Sequence, residues 1–133
     1  MRIQAPAIGL DEDASVENVN RALELIELLE EDPFVILSEN DLTYMQTLHT
    51  NEGFLIDFQA GSIDQHFRFD ETFNLSGAQS MFRDYLESRQ EWIPPHRHHK
   101  ISVRGFWGEI GHSLGSFVGS LMRGFNEGRR NIT

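Results

Sequence analysis

Residues 34 to 69 read FVILSENDLTYMQTLHTNEGFLIDFQAGSIDQHFRF, and this stretch decides the fold. It holds four short runs rich in aromatic and β-branched residues: Phe34 to Ser38, Thr43 to His49, Phe54 to Gln59 and Asp64 to Phe69. Runs of this length between turn-forming pairs are strands at hairpin spacing. Asn40-Asp41 suits a two-residue turn and pairs Ile36 with Met45, while Gly61-Ser62 suits a type II′ turn and pairs Phe67 with Ile56. A two-residue loop at Asn51-Glu52 pairs Ile56 with Thr47.

Side chains alternate faces along a strand, so polarity tests this register. One face collects Phe34, Ile36, Met45, Thr47, Phe54, Ile56, Phe58, Phe67 and Phe69, nearly all apolar. Slipping the last hairpin by one residue would put His66 and Arg68 there instead. The expectation is a four-stranded antiparallel meander.

Working outward, Val16, Val19, Leu23, Ile26 and Leu29 fall at helical spacing, with Ser15 as N-cap and Glu17 near the positive helix end. This helix should run to about Glu31 before Pro33 stops it. After the strands, Ser76 with Gln79 fits a capping box, and Ala78, Met81, Phe82, Tyr85 and Leu86 form an apolar stripe, predicting a helix from Gly77 to about Arg89. Laying both helices on the Phe-rich face gives an α+β two-layer fold, with Trp92 closing an edge of the core. Pro94 and Pro95 then end the pattern, so the domain is expected over residues 1–95. Residues 96–133 are expected to form a basic linker, His96 to Lys100, and a C-terminal glycine-rich amphipathic helix. Its apolar side carries Phe106, Trp107, Ile110, Leu114, Phe117, Val118, Leu121, Met122 and Phe125.

A chain of 133 residues suits one domain. Cysteine is absent, which excludes disulfides and thiolate chemistry and suits a reducing compartment. No apolar run reads as a secretory signal or membrane span, and a cytoplasmic location is expected. Charge is uneven: Met1 to His96 carries five Arg and Lys against nineteen Asp and Glu, and Arg97 to Thr133 carries six against two. An acidic body repels phosphate backbones, which argues against nucleic acid and favours a basic protein partner.

The second face of the expected sheet presents Val35, Leu37, Tyr44, Gln46, Leu48, Leu55, Asp57, Gln59, Asp64, His66 and Arg68. Asp57 lies opposite His66 in this register, with Arg68 diagonal. Apolar anchors ringed by polar groups resemble a protein-binding surface, with Tyr44, Gln46, Asp57, His66 and Arg68 as its candidate residues. The same charges also read as a solvated cross-strand cluster. An Asp-His dyad can orient a general base, but the nearest hydroxyls, Ser62 and Tyr44, make no evident nucleophile. No catalytic residue and no cofactor is expected.

His96, His98 and His99 invite a metal reading, yet a closed zinc site needs four ligands and the local sequence supplies two or three; no metal is assigned. Gly111, Gly115 and Gly119 recur every four residues, with Gly108 one turn before. Each glycine costs a helix interior up to about 1 kcal/mol relative to alanine, so close backbone approach is the expected return. Gly111, Gly115, Gly119, Phe117 and Leu121 are therefore candidates for homo-oligomerisation. Other placements stay open for this helix: capture of another protein's helix, docking on its own body or on the free sheet face, or lying on a membrane surface aided by the basic residues at its ends.

The strand pattern around Gly53, Gly61 and His66-Phe67-Arg68 resembles small bacterial proteins of the toxin-immunity type. The resemblance covers about a quarter of the chain, carries no catalytic signature and stops before Gly105. It implies a non-enzymatic acidic protein that binds and blocks a basic toxin domain. The sequence thus predicts a non-catalytic bacterial protein-binding module, an immunity or regulatory protein; the alternative is a structural or membrane-peripheral protein assembling through its glycine-rich helix.

Overall fold

Two short strands come before the first helix: β1 (Arg2–Ala5) and β2 (Leu10–Asp13), joined by a 3-10 turn at Pro6–Ile8. Helix α1 (Val16–Glu27) follows, then β3 (Phe34–Asn40), β4 (Thr43–Thr50), β5 (Gly53–Ala60), β6 (His66–Phe69), helix α2 (Leu75–Ser88) and β7 (His98–Lys100). This computed structural model describes residues 1–29, 33–88, 92 and 94–102. Among them the strands form one sheet in the order β2-β1-β3-β4-β5-β6-β7, with every neighbouring pair antiparallel.

The α+β class stands, but the sheet has seven strands and is not a four-stranded meander. β1 and β2 have only four residues each, too short for a period of two to show. β7 is His98-His99-Lys100, polar throughout, and lies in the segment expected to be a linker. It pairs with β6, so the sheet continues past Pro95.

Turn chemistry accounts for the differences in register. The β4–β5 hairpin closes as expected, with Thr47 opposite Ile56. Between β3 and β4 the register shifts at Ser38 to Asn40, leaving Glu39 as the extra residue of a bulge. Leu37, not Ile36, therefore opposes Met45, and β3 turns over. Val35 and Leu37 enter the helix-covered core while Phe34 and Ile36 move to the second face. The loop after β5 is longer than two residues, with Gly61 at φ 86° and the Gln65 N–H donating to the Ser62 carbonyl. Phe67 consequently opposes Phe58 rather than Ile56, a slip of two that keeps every face.

Both helices cover the first face. Val19, Ala22, Leu23 and Ile26 of α1 and Ala78, Met81, Phe82 and Tyr85 of α2 pack with Ile3, Leu37, Met45, Phe54, Ile56, Phe58 and Phe69. Trp92 stands at the edge of this core, its ring within 5.3 Å of those of Phe58 and Tyr85. Ser15 caps α1 in a capping box with Asn18: Ser15 Oγ accepts the Asn18 N–H at 3.2 Å, and Asn18 Oδ1 accepts the Ser15 N–H at 2.7 Å. α2 starts earlier than predicted, with Asn74 Oδ1 accepting the Gly77 N–H at 2.8 Å. Gln79 is thereby released from capping, and its amide reaches the Asn20 carbonyl and Glu24 of α1.

Gly53, at φ 123°, permits the tightest junction. A Cβ there would stand 2.7 Å from the Phe73 carbonyl oxygen. That contact belongs to the paired bonds between Phe54 and Phe73, which bring the chain from the sheet to α2. No helix among the described residues is long and apolar enough to cross a membrane.

Candidate functional site

The bulge in β3 determines what the second face holds. Across the middle strands it presents Phe34 and Ile36 from β3, Tyr44, Gln46 and Leu48 from β4, Asp57 and Gln59 from β5, and His66 and Arg68 from β6. All of these are buried except Arg68, which is part-buried. The sequence-predicted binding residues Tyr44, Gln46, Asp57, His66 and Arg68 are thus brought together, but in the interior.

The slip of two places Asp57 opposite Arg68 and His66 opposite Gln59. Arg68 Nε donates to Asp57 Oδ1 at 2.9 Å, and Arg68 Nη2 lies 3.4 Å from Asp57 Oδ2. His66 Nε2 is 3.2 Å from Asp57 Oδ2, and His66 Nδ1 is 3.2 Å from Gln59 Oε1. The Tyr44 hydroxyl donates to the same Gln59 oxygen at 3.0 Å, while the Gln59 amide nitrogen donates to the Leu42 carbonyl at 3.1 Å. Leu42 therefore fixes which end of Gln59 faces His66. Both imidazole nitrogens lie within hydrogen-bond distance of an oxygen. The group is a buried network in which the Asp57 carboxylate pairs with Arg68 and touches His66. Gln46 lies beside it, its amide buried without a protein hydrogen-bond partner.

The C-terminal histidines are also engaged. His96 Nδ1 and Glu71, and His99 Nδ1 and Asp70, lie 2.7 Å apart, whereas His98 Nδ1 is 3.0 Å from the His96 carbonyl. The rings of His96 and His98 both contact Phe69, so these two do share a side. Among the described residues no three His, Asp or Glu gather as metal ligands. Gly111, Gly115, Gly119, Phe117 and Leu121 lie outside the described residues.

A surface that the sequence reading passed over lies on α1. Leu28 is 78% exposed, and Leu25 and Leu29 are 37% and 38% exposed. Leu29 had been expected in the core, whereas Leu25 and Leu28 fall off the apolar stripe, and that misplacement was the legible signal. Exposed Glu24 and Glu27 flank them. The last turn of α1 has no basic residue, so its partial negative charge adds to these carboxylates. Leu25 borders a cleft of about 530 Å³ that also involves Ile8, Leu10, Ala22, Glu12, Glu17 and Arg21. Leu29 borders a second, of about 700 Å³, with Glu27, Glu52 and His49. The leucines thus lie together at the end of α1, with Leu25 and Leu29 each bordering a cleft that carries carboxylates.

A third cleft, of about 390 Å³, is edged by Glu39, Phe58, Trp92 and Tyr85. Burial first, and the Glu39 charge second, push the Tyr85 phenol well above its ordinary range, so Tyr85 stays neutral. Compared with protein-family models, curated proteins and solved structures, the chain matches none.

Proposed function

We propose that this protein is a non-catalytic protein-binding module, an immunity or regulatory protein of a bacterial cytoplasm that binds a basic partner. The observation that carries this reading is the ridge of Leu25, Leu28 and Leu29, exposed at the negative end of α1 between carboxylates. Large aliphatic side chains grouped in the open on one surface mark an interaction site. The surrounding acid selects a cationic partner and speeds its approach.

The test is affinity capture from the native host with the wild-type chain and with a Leu25→Ser, Leu28→Ser double variant. The wild type should retain one stoichiometric basic protein, eluting as salt rises, and the variant should lose it. A partner held equally by both chains, or no partner together with measurable turnover of a small molecule, would overturn the proposal. Assembly through the glycine-rich segment is the alternative, favoured by the four-residue glycine spacing alone. Light scattering on the full chain separates the two, since that reading requires an oligomer.

A further inference from the structure

We propose that the second face of the sheet is a docking surface for this chain's own residues 103–133, independent of the partner surface on α1. Phe34, Ile36, Tyr44 and Leu48 are buried, yet they are separate from the core that both helices build on the first face. No described element lies behind them. Residues 30–32, 89–91 and 93 are too short to screen a face several strands wide.

Only the stretch after Ser102 is long enough, and it leaves from the correct place. It departs from β7 at the sheet edge, and four strand spacings of about 4.8 Å separate β7 from β3, about 19 Å. Read as the helix its periodicity predicts, Phe106 to Phe125 spans about 30 Å, enough to cross. Its apolar side matches Phe34, Ile36 and Leu48, and its basic charge suits an acidic body. The Gly111, Gly115 and Gly119 stripe gains a purpose here, because a helix without side chains on one line can lie close to a flat face.

The chain has no cysteine, so a single Ser116→Cys or Ser120→Cys substitution takes a nitroxide label at one site in the full-length protein. Paramagnetic broadening of the Ile36 and Leu48 methyl signals, with Val19 and Leu23 sharp, is the expected result for both labels. An isotope-labelled chain mixed with a spin-labelled unenriched chain should show no broadening. Broadening confined to that mixture would assign the cover to a second copy and overturn the proposal. So would sharp Ile36 and Leu48 signals from both labels, or broadening on the helix-covered face. Matching diamagnetic spectra of labelled and wild-type chains establish that each variant is folded.

Discussion

Replacing Asp57 with Asn should destabilise the fold by about 3 kcal/mol. The substitution keeps the shape and one acceptor but removes the carboxylate charge that pairs with Arg68 beside the buried His66. Losing one partner of a buried ion pair costs about 3–5 kcal/mol, because the remaining charge stays desolvated. Arg68 is 16% exposed, so water partly compensates its guanidinium and the lower end of that range applies. For a domain of this size the loss corresponds to a fall in Tm of about 10 °C. The assay is urea denaturation of the full chain, reading the midpoint at constant m. A double-mutant cycle with Arg68→Met should show a coupling well above the 1 kcal/mol typical of surface pairs. A loss below about 1 kcal/mol, or additive single effects, would refute the claim that this cluster is buried and charge-balanced.

Three further outcomes follow from other parts of the structure. Gly53→Ala combines a positive φ with a clash against the Phe73 carbonyl, and should cost about 2–4 kcal/mol by the same denaturation assay. Gln59→Leu removes the oxygen that Tyr44 and His66 share and should cost about 1–3 kcal/mol by the same midpoint; an unchanged midpoint would remove Gln59 from the network. Leu28→Ser, at a 78% exposed position, should shift stability by no more than about 0.5 kcal/mol, as judged by the same midpoint. A larger loss would assign Leu28 to folding rather than recognition.

The parts of this fold that sequence periodicity revealed are those with enough residues to establish a period. The strands from Phe34 to Phe69 and both helices fall into this group. β1 and β2 offer few alternating positions, and β7 offers none that is apolar, so their place is set by pairing with neighbours distant in sequence. The β3 faces were misread for a single reason: a bulge at Glu39 moves one strand by one residue, and polarity cannot reveal it when Phe34-Val35-Ile36-Leu37 is apolar on both sides. That change also explains why Asp57, His66 and Arg68 were legible as a cluster but not as a buried one. The second face gained Phe34 and Ile36, and with them the character of a core. On α1 the leucines were visible in the sequence, but their exposure depends on which side meets the sheet.

Site-specific photo-crosslinking in living cells of the native host tests the partner surface most directly, with the photoreactive residue at position 28 and, as a control, at exposed Ile63 in the loop between β5 and β6. The proposed function predicts a single discrete adduct with a basic protein from position 28, abolished when Glu24 and Glu27 are changed to Lys, and none from position 63. An absence of adduct at 28, or equal adducts at both positions, would contradict it.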